Sequence, residues 1–346
     1  MRKVISLIVN NICFLCCVAL ILSDGYNFLS GAEESITPPF IEFGEGTGCI
    51  LSVAFSPDGK KIVTASLRGK VQIWDVALGK ELQTLTGHKS AVYSAVFSPN
   101  GKTVATGGSD ATVRIWDAES GKELRRWEPG NAGIDSVAFS PDGKKIVVDG
   151  DFYDSGVAAR ILHSSWGILL KELKGGHTGR ILSASFSPDG NKIVTAGNKL
   201  GSGDGATIIW DAALGKELGR LAWHTPIGHT AQFSPDGKMI VTSARSADGD
   251  HTARIWDTET GKELHKLIGH TAPVWSAVFS PDGTKIITAG NDVRIWSVES
   301  GKELQKLGEH AVAVKIAAFS PDGKKIVTMS RDTLVRDSVI RIWTLE

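Results

Sequence analysis

The decapeptide FSPDGKKIVT occupies residues 55–64 and returns letter for letter at residues 319–328. Five close variants lie between these copies: FSPNGKTVAT from Phe97, FSPDGKKIVV from Phe139, FSPDGNKIVT from Phe186, FSPDGKMIVT from Phe233 and FSPDGTKIIT from Phe279. The seven phenylalanines are spaced by 42, 42, 47, 47, 46 and 40 residues. Such a period is typical of a repeated unit that buries its faces only by stacking against its neighbours.

Each unit predicts four short strands. In the first unit CILSVAFSP is an apolar run rich in β-formers. The following SPDG has turn chemistry, because proline presets φ at the second position and glycine accepts a positive φ. KKIVTAS and KVQIWD give the next two strands, and GKELQTL gives the fourth after a turn at Gly79. Seven such units predict an all-β fold, a seven-bladed β-propeller of four-stranded antiparallel blades.

The segment TGHKSAVYSAVFSPNGKTVATGGSDATVRIWD (86–117) resembles the WD-repeat β-propeller family. A Gly-His pair opens the unit and a Trp-Asp pair closes its third strand, and the resemblance covers roughly residues 40–346. The resemblance implies the same seven-bladed fold. We therefore predict a propeller domain over residues 33–346.

The last unit predicts how the ring closes. It stops at VIRIWTLE, its third strand, without a fourth. PPFIEFGEGTG (38–48) aligns with ELQKLGEHAVA (303–313), which is a fourth strand leading into a new unit. We expect residues 40–43 to pair with the third strand of the last blade, which leaves no open edge there.

Composition excludes some function classes. Lys plus Arg equals Asp plus Glu at 38 each, so charge favours neither nucleic acid nor an acidic membrane surface as a partner. Cys49 is the one cysteine outside the N-terminal run, so no internal disulfide is predicted for the domain. We predict a monomeric propeller without a cofactor or a bound metal.

The N-terminus predicts export. Arg2 and Lys3 precede 19 largely apolar residues, 4–22, and the small residues SGA follow at 30–32. This pattern suits a cleaved signal peptide within residues 1–32, but 19 residues also suffice for a membrane anchor. A buried helix capping the domain is the remaining alternative. Either exported form predicts an extracytoplasmic protein, secreted or attached to the membrane through residues 4–22.

The resemblance also implies structural braces. In the family the opening His, a Ser or Thr of the second strand, the Asp of the next turn and the closing Trp form a hydrogen-bonded set. His229 is a decoy, because the opening position of blade five, nine residues before its Phe, is His224. A His-Asp-Thr set repeated five times is not a catalytic site, since an enzyme needs one nucleophile in one cleft. The five predicted sets are His88, Thr106, Asp110, Trp116; His177, Thr195, Asp204, Trp210; His224, Thr242, Asp250, Trp256; His270, Thr288, Asp292, Trp296; and His310, Thr328, Trp343 with Asp337 or Asp332.

Blades one and three depart from this pattern. The first has Gly46 and Arg68 at the His and Asp positions. The third has Gly130 and Val148 at the His and Thr positions, and ILHSSW in place of IWD. We expect these two blades to be the least stable.

Function is predicted on the variable face of the ring. The SPDG and GKEL turns share the other face and are nearly uniform, so we expect that face to distinguish partners poorly. The resemblance implies that the fifth residue after each opening position projects near the mouth of the central channel. A ring of this mixed chemistry suits a peptide, because aromatic anchors with a few oriented charges are typical of interfaces. These predicted partner-binding residues are Leu51, Tyr93, Asp135, Leu182, His229, Trp275 and Lys315.

We predict a non-catalytic platform for protein–protein interaction, and two alternatives remain open. In one, an enzyme or ligand-binding propeller uses the Asp-rich turns 149–156, 197–206 and 246–251 around a metal ion, as their clustered carboxylates suggest. In the other, the chain belongs to a larger modular system whose effector is a separate protein.

Overall fold

The computed structural model describes residues 40–43, 48–130, 133–150, 156–177, 179–197, 206–222, 228–244, 249–308, 310, 312–332 and 337–345. They fall within one compact unit, Thr37–Glu346, and consist of strands and turns. None of these residues belongs to a helix long and apolar enough to cross a lipid bilayer. The predicted signal peptide or anchor, residues 1–32, lies outside the described residues and stays a prediction.

The strands follow one another in chain order. The first is β1 (Phe40–Phe43). Blade one has β2 (Ile50–Phe55), β3 (Lys61–Ser66), β4 (Val71–Asp75) and β5 (Glu81–Leu85). Blade two has β6 (Val92–Phe97), β7 (Thr103–Gly108), β8 (Val113–Asp117) and β9 (Glu123–Trp127). Blade three has β10 (Ile134–Phe139), β11 (Lys145–Gly150), β12 (Val157–His163) and β13 (Leu169–Lys174). Blade four has β14 (Ile181–Phe186), β15 (Lys192–Gly197), β16 (Ala206–Asp211) and β17 (Glu217–Leu221).

Three blades complete the chain. Blade five has β18 (Gly228–Phe233), β19 (Met239–Ala244), β20 (Ala253–Asp257) and β21 (Glu263–Leu267). Blade six has β22 (Ser276–Phe279), β23 (Lys285–Ala289), β24 (Val293–Ser297) and β25 (Glu303–Leu307). Blade seven has β26 (Val314–Phe319), β27 (Lys325–Asp332) and β28 (Asp337–Thr344). Each blade is a separate four-stranded antiparallel sheet, which confirms the seven-bladed propeller.

The repeated SPDG phrase, which is SPNG in blade two, forms the turn between the first two strands of each blade. In blade one Ser56 Oγ donates to Asp58 Oδ1 (2.6 Å) and accepts the Lys61 N–H (2.9 Å). The Ser56 hydroxyl lowers the pKa of Asp58 below its usual range. Gly59 has a φ of 67°, a left-handed conformation that glycine adopts without steric cost. The phrase therefore recurs because each turn needs the same hydrogen bonds and the same backbone angle.

The first strand of each blade is the innermost. Consecutive first strands contact one another around the whole ring: β2, β6, β10, β14, β18, β22 and β26, with β26 returning to β2. They therefore surround the central axis. The spaces between neighbouring blades are filled by buried aliphatic side chains and, in most blades, by the tryptophan at the next-to-last position of the third strand.

The ring closes through β1, as predicted. It pairs antiparallel with β28, with Phe40 opposite Trp343 and Phe43 opposite Ile340. The Phe40 and Trp343 ring centroids are 4.8 Å apart, and Arg341 Nε donates to Glu42 Oε2 (2.7 Å). One buried cluster joins side chains of blades one and seven, which seals the contact between the first blade and the last.

Candidate functional site

The predicted partner-binding residues share a backbone feature. In six blades a β-bulge lies at the start of the innermost strand, and the extra residue is the predicted one: Leu51, Tyr93, Asp135, Leu182, His229 and Lys315. In blade six Trp275 immediately precedes β22, and its N–H donates to Ala289 O (2.8 Å). A bulge leaves one residue out of the ladder and redirects its side chain. The fold thus repeats this bulge in six of the seven blades.

As whole residues, the predicted partner-binding residues are half-buried, apart from His229, of which the structure describes only the backbone. The aromatic rings of two of them, Trp275 and Tyr93, each contact a cationic side chain from another blade. The Lys315 ammonium lies 3.2 Å from the Trp275 ring centroid, and the Arg180 guanidinium lies 5.6 Å from that of Tyr93. Cation–π contacts of this kind hold both rings in place.

Arg180 was not predicted to take part. Its Nε donates to Asp135 Oδ2 (2.5 Å), and a second guanidinium nitrogen pairs with Asp135 Oδ1. It therefore joins blades two, three and four, through Tyr93, Asp135 and its own backbone. The Asp135 side chain is 6% exposed and that of Arg180 is 40% exposed, so this ion pair faces solvent on the arginine side. The one available sequence signal was an arginine directly before an innermost strand.

A second acidic residue lies beneath this pair. Asp149 is fully buried on β11, opposite Ser136, and neither carboxylate oxygen has a well-formed hydrogen bond. Burial raises its pKa well above the usual range, and the nearby Asp135 carboxylate raises it further, against weaker opposing effects of Ser136 and Arg180. Asp149 is therefore held as a neutral acid across a wider pH range than an ordinary aspartate.

Blade two contains the full set of brace contacts. Thr106 Oγ1 lies 2.7 Å from His88 Nε2 and accepts the Trp116 Nε1–H (2.8 Å). His88 Nδ1 lies 3.0 Å from both Asp110 oxygens. Burial alone would raise the pKa of Asp110, but Thr112, the Lys89 N–H and His88 lower it to about 2. Burial lowers the pKa of His88 against the opposing pull of Asp110, so a neutral imidazole bridges two partners.

Blade six repeats this geometry. Thr288 Oγ1 lies 2.7 Å from His270 Nε2 and accepts the Trp296 Nε1–H (2.8 Å). His270 Nδ1 lies 2.8 Å from Asp292 Oδ1. Arg294 also donates to both Asp292 oxygens (3.0 and 2.8 Å), so the carboxylate is fully used within the blade.

Blades four, five and seven show part of the set. The tryptophan donates to the threonine in each: Trp210 to Thr195 (2.8 Å), Trp256 to Thr242 (2.9 Å) and Trp343 to Thr328 (2.9 Å). His177 and His310 lie 2.7 and 3.2 Å from their threonines. In blade five Asp250 accepts a hydrogen bond from Arg254 (2.8 Å). Asp204, His224 and the side chains of Asp332 and Asp337 lie outside the described residues.

The two departing blades differ from each other. Blade one keeps half of the contacts, since Trp74 Nε1 donates to Thr64 Oγ1 (3.0 Å). In blade three Val148 and Leu162 occupy the Thr and Trp positions, and both are buried in one apolar cluster. That blade one retains the Trp–Thr bond was not predicted, although both residues are present in the sequence.

The histidines of the braces are poor catalytic bases. Burial lowers the pKa of His177 and of His310 to about 4, with Arg220 and Arg341 respectively adding to the effect. Among the described residues no group of three or more His, Cys, Asp or Glu side chains could hold a metal ion. The Asp-rich turns of the metal hypothesis lie mostly outside the described residues, at 151–155, 198–205 and 245–248.

Family models match most of these blades. The model "WD domain, G-beta repeat" matches residues 40–75, 79–117, 167–211, 215–257, 261–297 and 301–344, together well over half of the chain. The chain belongs to the WD-repeat family. WD-repeat propellers are typically scaffolds for protein interaction and are generally not catalysts. The longest interval without a match, 118–166, contains most of blade three.

One similar protein is an uncharacterized WD repeat-containing protein of Nostoc sp. (strain PCC 7120). It is 53% identical over 45 residues, which are 13% of this chain and 3% of that protein. The chain thus matches a very small part of that relative's length, about one WD repeat.

Proposed function

We propose that this WD-repeat protein is a non-catalytic, monomeric platform that binds a protein or peptide partner through the ring formed by Leu51, Tyr93, Asp135, Leu182, His229, Trp275 and Lys315. The observation that carries the proposal is the bulge at the start of the innermost strands. An irregularity kept at the same place in six blades is a designed feature that directs side chains out of the sheet. Nothing in the blade architecture itself requires these residues to be aromatic or charged.

The chemistry of the ring defines the partner. Tyr93 and Trp275 offer large rigid surfaces, and the cations Arg180 and Lys315 cover part of each ring. A partner segment with an apolar residue and a carboxylate would pack against the edge of one aromatic side chain and form an ion pair with the adjacent cation. Charge of this kind directs orientation and association rate more than affinity.

The test compares substitutions on the two faces. A partner is captured by crosslinking to the full chain, and its affinity is then measured for purified variants. Trp275→Ala and Tyr93→Ala should each weaken binding by about 2 kcal/mol or more, because buried aromatics dominate interface energies. Lys60→Ala and Lys144→Ala are the controls and should leave affinity unchanged. Both lysines are exposed and directly follow an SPDG turn, on the face away from the proposed site. A partner insensitive to both aromatic substitutions would contradict the proposed ring.

We also propose that the propeller is extracytoplasmic, secreted or held at the membrane by residues 4–22. Support comes from Arg2 and Lys3 followed by the apolar run. Protease added to intact cells should digest the propeller domain, and the mass of the mature chain should distinguish cleavage from anchoring. Protection of the domain in intact cells, with full digestion after lysis, would contradict export.

A further inference from the structure

The outer turn of blade three differs from the others. Five blades carry the sequence GKEL between the third and fourth strands, at 79–82, 121–124, 215–218, 261–264 and 301–304. Blade three has GILL at 167–170, preceded by Trp166. Blade three is therefore the exception on a nearly uniform face, because two apolar side chains replace a Lys–Glu pair there.

These apolar side chains are exposed together. Trp166 is 65% exposed, Ile168 60%, Leu169 48% and Leu170 43%. The Leu of GKEL is similarly exposed in the other blades, so the difference lies in Trp166, Ile168 and Leu169. The turn is fixed in place, because Gly167 has a φ of 65° and packs so closely against the Trp127 ring that no side chain fits there.

The ion pair made by the Glu of GKEL in other blades is formed in blade three by a different glutamate. In blades two, five and six the Glu of GKEL accepts a hydrogen bond from an arginine of the third strand, as Glu123 does from Arg114 (2.6 Å). In blade three the corresponding Arg160 donates instead to Glu172 (3.2 Å), three residues further along the outer strand. The blade keeps its ion pair, so position 169 is free to be apolar without loss of that contact.

The apolar residues border an open strand edge. β13 is the last strand of its sheet, so one side of its backbone has no neighbour in the blade. Exposed edges are usually protected by charges, especially lysine, because unpaired N–H and C=O groups accept an added strand. GKEL places a Lys–Glu pair at the start of this edge in five blades, whereas in blade three Ile168 and Leu169 are there and the charges begin at Lys171.

A groove adjoins the turn directly before Trp166. It has a volume of about 590 Å³, and its walls include Leu124 and Arg125 of blade two and Phe139, Ser164 and Ser165 of blade three. Among the described residues no carboxylate pairs with Arg125, or with Lys171, which lies on β13 beside Gly215 of blade four. Asp142, the carboxylate in the groove wall, already accepts hydrogen bonds from Ser140 and the Lys144 N–H. The site therefore offers an edge with an apolar start and two cations without a carboxylate partner, one on each side of blade three.

The size of the patch selects its occupant. The four side chains present on the order of 400 Å² of apolar surface, given about 150–250 Å² for a large aromatic. A stable dimer buries about 800 Å² on each partner, so the patch suits a short segment better than a second copy. The chain already contains such a segment: β1, with the sequence FIEF, joins the edge of β28 through a phenylalanine on Trp343 and a glutamate on Arg341.

We propose that the outer edge of blade three binds an extended peptide segment of a partner protein as a fifth strand. The segment is apolar where it covers Trp166, Ile168 and Leu169, and it carries a carboxylate that pairs with Arg125 or Lys171. Main-chain hydrogen bonds to β13 supply affinity, and the apolar and acidic side chains supply specificity. This interface is separate from the ring of bulge residues.

The test uses a displayed library of random decapeptides selected on the full chain. Enriched peptides should combine alternating apolar residues with Asp or Glu. The double variant I168K/L169E restores GKEL and should weaken a selected synthetic peptide at least about tenfold. The matched control K216A/E217A changes the same positions of blade four and should leave affinity unchanged. A proline at the centre of the peptide should also cost about tenfold, because a fifth strand needs that N–H.

Specific outcomes would overturn the proposal. Enrichment of no apolar-acidic peptide would do so, as would unchanged affinity of I168K/L169E with its thermal unfolding intact. Sedimentation of the wild type, but not I168K/L169E, with phosphatidylcholine–phosphatidylserine vesicles would instead assign the patch to a lipid surface. A dimer that I168K/L169E abolishes would assign it to a second copy. Trp275→Ala should leave the affinity for the selected peptide unchanged. A failure of the strand-edge proposal can therefore be distinguished from a failure of the partner-binding ring proposed above.

Discussion

Blades two and three are neighbours that fill the same positions with opposite chemistry. In blade two the threonine hydroxyl of Thr106 joins His88 to Trp116, and all three are deeply buried. In blade three Val148 and Leu162 occupy the threonine and tryptophan positions, equally buried and without a polar atom. Both arrangements yield the same four-stranded sheet. The brace is therefore one of two ways to fill a blade, and it is not a condition for folding.

At the next residue of the second strand, it is blade three that has the polar side chain. Opposite the first-strand serine, blade two has Gly107 and blade three has Asp149. Blade two thus places its polar groups where each has a partner, whereas blade three has an apolar core and one buried carboxyl with no well-formed hydrogen bond. Buried polar groups destabilise a fold unless they are satisfied, so the two blades should respond in opposite directions to the loss of a polar group.

The largest expected effect is at Thr106. Thr106→Val should lower the free energy of unfolding by about 3 kcal/mol, because it leaves both His88 Nε2 and Trp116 Nε1 buried without a partner. Thr103→Val, on the same strand, is the control and should cost less than about 0.5 kcal/mol. Chemical denaturation measures both. If Val148→Thr proved neutral or stabilising, blade three would not be the apolar alternative described here.

The next effect has the opposite sign. Asp149→Ala should raise the free energy of unfolding by about 2 kcal/mol at neutral pH, because it removes a buried carboxyl that has no well-formed hydrogen bond. Alanine is present at the matching positions of blades one, four and six, as Ala65, Ala196 and Ala289. A loss of stability would show that Asp149 has an important partner after all.

The pH dependence of Asp149 follows from its raised pKa. As pH rises above about 4, the unfolded chain releases this proton while the folded chain retains it, so stability falls by up to about 1.4 kcal/mol per pH unit. Asp149→Ala should remove this slope between its unfolded and folded pKa. Asp142→Ala is the control in the same blade: hydrogen bonding lowers the pKa of Asp142, which gives the opposite sign. Equal slopes in wild type and Asp149→Ala would contradict the buried neutral acid.

How far the sequence predicts the molecule depends on the kind of contact. The seven blades follow from the regular spacing of the FSPDG phrase. The pairing of β1 with β28 follows because the last repeat lacks the fourth strand that the periodic pattern requires. The positions of Thr106 and Trp116 follow from phase within the repeat for the same reason. In contrast, the contacts of Arg180 with Tyr93 and of Lys315 with Trp275 join different blades. The sequence of a single repeat does not specify how neighbouring blades are positioned relative to one another.

Blade three shows a second limit of sequence reasoning. Burial of Asp149 could not be read from DGDFYDSG, which has the composition of an exposed turn. The GILL substitution was visible by aligning the outer turns, but its meaning required the exposure of Trp166 and Ile168. A departure from a repeat marks where to look, and the structure decides whether it is buried, exposed or compensated.

Acid should weaken the braced blades. Burial lowers the pKa of His310 to about 4, so the unfolded chain takes up a proton first as pH falls below about 6.5. Each such histidine costs up to about 1.4 kcal/mol per pH unit until its folded pKa is reached. His310→Gln should therefore make the loss of stability between pH 6.5 and 4 shallower. An unchanged slope would mean that His310 is protonated in the folded protein.

The smallest effect is expected in blade one, which is intermediate between the two blades compared. Thr64 accepts the Trp74 Nε1–H, but the position of the brace histidine is Gly46. Thr64→Val should leave one buried donor unpaired and lower the free energy of unfolding by about 1 kcal/mol, against about 3 kcal/mol for Thr106→Val. The same denaturation series measures both. If the two losses were equal, the histidine of blade two would add nothing beyond the Trp–Thr bond, and blade two would be stabilised no differently from blade one.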